Sequence, residues 1–183
     1  MDLGLHERVA VVTGASNGIG ASIARRLARK GARVAIGYHA DRDSAEGLVQ
    51  SIGDALAFYH DLREPRTIQQ AVASLLARWG RLDVLVACAW ESAGWAPHDA
   101  LPELTTAEAW QTQLRGNVEG TACAVQAVLP PMRAAGWGRI VMLSSGAAED
   151  GAPALEHYAA AKAALHGFNR SLARSAGSAG ILV

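Results

Sequence analysis

Short apolar runs alternate along this chain with segments whose apolar residues recur every three or four positions. Arg8–Thr13 (RVAVVT) is a β-branched run closed by a glycine. Ile19–Lys30 follows, with Ile19, Ile23 and Leu27 spaced four apart and arginines on the opposite side. The same alternation predicts further strands at Ala32–Tyr38, Ala55–His60, Leu82–Cys88 and Arg139–Ser144. Helices are predicted at Arg42–Ile52, Pro65–Trp79, Ala107–Arg133 and Leu155–Ala176. Gly31 and Gly80 stand where helices should stop, and Pro65 where one should open. The pattern of Ala107–Arg133 is interrupted near Gly116, and Pro130-Pro131 falls in its last turns. Ala93–Pro102 predicts an irregular loop. The strands are nearly continuous in apolar residues, as parallel strands covered by helices on both faces are. Right-handed crossovers between them build a doubly wound α/β sheet.

Composition narrows this picture without changing it. The 183 residues are 50% hydrophobic and 19% charged, an ordinary globular balance that excludes disordered and fibrous architectures. A chain of this length buries about 70% of its unfolded surface and needs no disulfide or metal staple. It reads as one domain over residues 1–183. Seventeen basic residues balance seventeen acidic ones, which offers no footprint for nucleic acid or an anionic membrane. The longest uncharged stretch, Gly120–Met132, contains Gln126 and two prolines and cannot span a bilayer. The N-terminus has acids where a signal peptide has bases, so a soluble cytoplasmic protein is expected. Cys88 and Cys123 read as small buried hydrophobes, and the six histidines are scattered, so no metal site is indicated. Gly180–Val183 reads as the opening of a sixth strand, which suggests a chain missing its C-terminal part.

Candidate chemistry begins with Thr13-Gly-Ala-Ser-Asn-Gly-Ile-Gly20, which joins the first strand to the first helix. Glycines there permit a tight turn and let backbone amides approach a diphosphate, whose charge the helix N-terminus favours. Tyr158 and Lys162 lie four apart on a predicted helix and so share a face. A phenol ionises near pH 10, and a fixed ammonium beside it favours the phenolate by about one to three units. That makes a proton donor or acceptor for a carbonyl/alcohol pair. The chain has fifteen arginines but only two lysines, Lys30 and Lys162. Ser145 ends the fifth predicted strand, where doubly wound sheets place ligands. Its other reading is a turn cap.

The spacing TGxxxGxG, with Asp61, Asn117 (in LRGNVEGT), Ser145 and Tyr158-Ala-Ala-Ala-Lys162 following in order, resembles the short-chain dehydrogenase/reductase family, and 3-oxoacyl reductases within it. The likeness extends over essentially all of the chain. It implies a Rossmann-like sheet and a nicotinamide dinucleotide held by Gly14, Ser16, Asn17, Gly18, Ile19, Gly20, Tyr38, His39, Asp61, Leu62 and Ala89. Asp61 would accept from the adenine amino group. Tyr158 would donate the proton, Lys162 lower its pKa and grip the nicotinamide ribose, and Ser145 orient the carbonyl. Asn117 would hold a water relaying protons through Lys162. At the end of the second strand Tyr38 and His39 stand where NAD-binding relatives place an acid. Arg42 is within reach of a 2′-phosphate there, so NADP(H) is favoured over NAD(H), with Asp41 as the counter-argument.

The resemblance implies a small-molecule ketone or secondary alcohol as substrate. It also implies a dimer or tetramer through the helices from Ala107 and Leu155. Two departures stand out. Ala87-Cys88-Ala89-Trp90 replaces the family's Asn-Asn-Ala-Gly, removing amides that tie the central strands together. Trp90 and Trp95 flank an apolar mouth, either covering core or lining a pocket for an aromatic or polyketide-like substrate. The family's Pro-Gly strand, substrate-covering segment and seventh strand are also absent. Together these departures motivate an alternative, a non-catalytic partner or scaffold subunit.

Overall fold

A computed structural model describes residues 3–93 and 101–183, so most of the predicted loop, including Trp95, lies outside the described residues. Six strands form one all-parallel sheet: β1 (Val9–Val12), β2 (Arg33–Tyr38), β3 (Ala55–Tyr59), β4 (Val84–Ala87), β5 (Gly138–Met142) and β6 (Ile181–Leu182). Their order is β3-β2-β1-β4-β5-β6, with the reversal between β1 and β4 that marks a dinucleotide-binding sheet. The helices are α1 (Gly18–Ala28), α2 (Arg42–Ile52), α3 (Pro65–Trp79), α4 (Ala107–Leu114), α5 (Thr121–Ala135), α6 (Ala147–Asp150) and α7 (Glu156–Ala176).

Why the strands read as unbroken apolar runs is plain from their two faces. Ala10 and Val12 of β1 pack with Val34 and Ile36 against Ala21, Ala24, Ala45 and Leu48 of α1 and α2. Val11, between them, faces the other way, toward Ile68, Leu75, Val125, Met132 and Leu172 of α3, α5 and α7. Successive side chains thus enter opposite cores, and both faces demand apolar residues.

Several boundaries differ from the sequence reading. Helix α1 ends at Ala28 instead of Lys30. Ile19 does not share the buried face, being 67% exposed, because Gly20, Ala21 and Ala24 let the helix sit close on the sheet. The helix from Ala107 is interrupted by a wide turn at Arg115–Gly120, where the pattern broke, and resumes through both prolines as α5. The short helix α6 was not foreseen. Both cysteines are only partly buried.

The amino ends of the strands are closed by charge. Asp83, buried just before β4, accepts from Arg8 Nη1 (2.8 Å), Arg81 Nε and Nη2 (both 2.7 Å) and the Val9 amide (2.9 Å). The Arg8 and Arg139 guanidiniums lie 3.9 and 4.2 Å from the centre of the Trp137 ring. Burial opposes ionisation of Asp83, yet the Arg81 side chain, the Val9 amide and Arg8 outweigh it and hold the carboxyl below its ordinary value. A lowered acid pKa stabilises the fold fully above about pH 4, and the gain is lost as pH falls through the folded value. Asp83→Ala is therefore expected to destabilise the fold by about 3 kcal/mol in urea titrations at pH 7. The gap from wild type should narrow below about pH 4.

Candidate active site

The carboxyl ends of the strands are open. A crevice of about 260 Å³ is lined there by Gly14, Ser16 and Asn17, by Tyr38, His39, Asp61 and Leu62, and by Ala89, Trp90 and Glu91. Gly14 has φ of +61°, and a Cβ on it would come within 2.7 Å of the Ala89 Cα. Only glycine allows the turn after β1 to lie so close to the segment after β4. Thr13 reinforces this junction: its buried hydroxyl accepts from the Cys88 and Ala89 amides, each at 3.1 Å. The hydroxyl thus supplies a tie that the missing asparagines were expected to take away.

The start of α1 suits a diphosphate. Asn17 caps α1 without a side-chain hydrogen bond, and no acid occupies the first turn, so the leading amides face an anion unopposed. Space beside Gly18 is open. Gly20 packs against the Gly14 carbonyl and, like Gly18 and Ile19, is not part of the crevice wall.

At the β2 end the details shift. The Asp41 carboxylate accepts from the Ser44 amide at 3.0 Å as the cap of α2. Arg42, expected to reach a 2′-phosphate, instead donates to Glu46 at 2.7 Å, because the two are one helical turn apart. Asp61, expected to be open to adenine, is bonded to the Arg63 amide (2.8 Å) and guanidinium (3.2 and 3.3 Å), with His39 Nε2 3.4 Å away. Burial disfavours its charge, but Arg63 and His39 overcome this and lower its pKa.

At the other end, Trp90 meets the Tyr158 ring edge-to-face, with centroids 5.9 Å apart at 69°. Lys162, almost wholly buried, has its Nζ 5.9 Å from the centre of the same ring and donates to the Leu143 carbonyl at 3.0 Å. Burial pushes its ammonium below the ordinary lysine value, against the opposing influence of the neighbouring Cys88. Tyr158 and Lys162 therefore stand together next to Trp90, beside the crevice and not among the residues that line it. The Ser145 hydroxyl accepts from the Ala147 amide at 3.2 Å, the geometry of its cap reading.

Asn117 takes up backbone partners, the arrangement of a buried asparagine bonded to local backbone. Fully buried in the wide turn, it donates to Gln113 Oε1 (2.7 Å) and the Glu91 carbonyl (3.4 Å), and its Oδ1 accepts from the Glu91 amide (3.1 Å). Gln113 Nε2 adds bonds to the Glu91 and Ala93 carbonyls, at 3.1 and 2.7 Å. The carboxamide is thus committed to the backbone after Trp90 and makes no direct bond to Lys162. Gly116 is required here, since a Cβ on it would overlap Glu91 Cβ. Gln113 escaped the sequence reading, although it lies four residues before Asn117 on one helical face.

His60, another wall residue that the sequence reading passed over, is almost wholly buried, and its Nδ1 has no hydrogen-bond partner among the described residues. Burial lowers its pKa to about 4; Asp61 pulls it up and His39 down.

A parallel sheet whose strand order reverses at a glycine turn, with a tyrosine–lysine pair beside the resulting crevice, is the arrangement expected of a dinucleotide-dependent oxidoreductase. Comparison with known proteins makes the assignment specific. The family model described as short chain dehydrogenase matches residues 8–183. Cyclohexanol dehydrogenase of Rhodococcus sp. is 34% identical over 200 positions, covering 100% of this chain and 73% of that protein. The 3-oxoacyl-[acyl-carrier-protein] reductase FabG of Staphylococcus aureus is 33% identical over 178 residues, covering 95% and 70%. A short-chain dehydrogenase crystal structure from Streptomyces avermitilis superposes with a TM-score of 0.87 at 31% identity, covering 97% of this chain. The chain spans 63% of that structure's length. It belongs to the short-chain dehydrogenase/reductase family, NAD(P)-dependent oxidoreductases of the CH–OH and carbonyl pair. Among the described residues no helix is long and apolar enough to cross a membrane.

Two stability measurements check this geometry. Thr13→Val leaves two amides without their acceptor and should cost about 2 kcal/mol in chemical denaturation. His60 binds its proton near pH 6.5 when unfolded but only near pH 4 when folded. Stability should therefore fall by about 3 kcal/mol as pH drops across that window. His60→Gln should remove this part of the slope.

Proposed function

We propose that this protein is a cytoplasmic reductase that passes a hydride between NADP(H) and a small-molecule ketone or secondary alcohol. The contact between Trp90 and Tyr158 carries the reading. It joins the wall of the dinucleotide crevice to the one tyrosine that has a buried lysine a turn away. When bound, NADPH supplies the hydride. Tyr158 donates its hydroxyl proton to the carbonyl oxygen, and Ser145 hydrogen-bonds the same oxygen to orient it. Lys162, held by the Leu143 carbonyl, provides the fixed positive charge that favours the phenolate left behind and binds the nicotinamide ribose. Asn117 acts through structure, fixing the chain after β4 and with it the crevice wall.

Preference for NADP(H) rests on Tyr38 and His39, which place no carboxylate at the end of β2; Asp41, whose carboxylate lines the same crevice while capping α2, is the counter-argument. Pairing of subunits through α4 and α7 is supported by a groove of about 810 Å³ beside α4 and the wide turn, where Leu114, Val118 and Ala164 lie among the charged Glu108, Arg115 and Glu119.

NADPH oxidation across a panel of ketones tests the reading. Tyr158→Phe should lower kcat by about 100- to 10,000-fold while leaving the NADPH Kd within about twofold. Absence of NADPH binding in a fluorescence titration would instead favour the scaffold alternative.

A further inference from the structure

We propose that His166 is a positioning residue for the reduction: through the Ser144 hydroxyl it holds Lys162 in register with the chain leading to Ser145. This rests on the reductase reading above and adds a residue to its machinery.

The two halves of that chemistry sit on different elements, Ser145 just beyond β5 and Tyr158 with Lys162 on α7. Consecutive residues after β5 grip Lys162 at both ends. Its Nζ donates to the Leu143 carbonyl at 3.0 Å, and its own carbonyl accepts from the Ser144 hydroxyl at 3.2 Å. The first bond belongs to the ammonium, which must turn toward a ribose to bind one. The second leaves the ammonium free and survives that turn.

His166 keeps the second bond in place. Ser144 Oγ lies 2.8 Å from His166 Nε2, and a hydroxyl has a single hydrogen to give. With that hydrogen on the Lys162 carbonyl, the imidazole donates through Nε2 and the Ser144 oxygen accepts. An apolar side chain at position 166 would free the hydroxyl to turn into the adjoining cavity of about 520 Å³, which Ser144, His166, Asn169 and Arg170 help to line. Glu149 Oε1, 3.8 Å from Nδ1, is beyond hydrogen-bond distance and largely exposed, so the closer Ser144 contact orients the ring.

Tyr158 and Ser145 have to reach one carbonyl oxygen, and a misplacement of about 1 Å there costs about a hundredfold in rate. Loosening one of two ties between their elements costs less. Neither Ser144 nor His166 lines the crevice, so the loss falls on kcat and not on KM.

The test measures kcat and KM in the full chain, with NADPH and a panel of ketones that includes ethyl acetoacetate and 1-tetralone, well below the unfolding temperature of each variant. His166→Leu should lower kcat about tenfold with KM within about twofold. His166→Gln, whose amide carries hydrogen where Nε2 does, should stay within about threefold of wild type. Ser144→Ala should match His166→Leu, and the double variant should be no slower than Ser144→Ala, because both residues act along one path. Ser144→Ala alone carries the prediction should His166→Leu fail to fold. An unchanged kcat, equal losses in His166→Gln and His166→Leu, a loss in KM, or additive losses in the double variant would overturn the proposal and leave the reductase reading standing. A wild type that binds NADPH yet reduces no ketone of the panel would overturn both.

Discussion

Between the glycine turn after β1 and the segment after β4 there is no room for a side chain. Gly14 lies against the Ala89 backbone, and the Thr13 hydroxyl stitches the two segments through the Cys88 and Ala89 amides. Everything at the site is referred to this junction. It brings the start of α1 to one wall of the crevice and Trp90 to the other, and through Trp90 it reaches Tyr158 on α7. A looser junction would leave the same residues on the same elements without a shared crevice.

The two ends of the sheet are treated in opposite ways. At the amino ends, Asp83 paired with Arg8 and Arg81, and Trp137 flanked by Arg8 and Arg139, close the structure with a compact set of charges and rings. The carboxyl ends stay open because β1 and β4 send their following segments to opposite sides, the geometric origin of a binding crevice in any sheet that reverses its winding. Apolar packing on both faces makes this frame stiff.

The wide turn at Arg115–Gly120 links frame and site. A regular helix would carry Asn117 past the chain after β4; the extra residue per turn aims its carboxamide at Glu91 while Gln113 supports it from one turn earlier. A carboxamide pair satisfied in this way is a rigid strut. It explains how a chain with Ala-Cys-Ala-Trp in place of two asparagines and a glycine still holds its fourth strand in register and presents an exposed indole at a fixed angle.

Much of this was legible from one-dimensional pattern. Strands buried on both faces read as apolar runs, helices carry a 3.6-residue period, and the glycine turn must follow a strand and open a helix, so order and spacing alone announced the sheet, the crevice-forming turn and the Tyr158–Lys162 pair. The interruption near Gly116 was visible for the same reason, as a break in a period. Partners distant along the chain left no such trace. That Arg42 would turn to Glu46, that Asp61 would be taken by Arg63, that Asn117 would brace Glu91 and that Thr13 would replace the missing amides all depend on which side chains arrive within about 3 Å of one another. Local sequence sets which groups are available, but only the packed chain decides which donor meets which acceptor, because each polar group has several possible partners and burial selects among them.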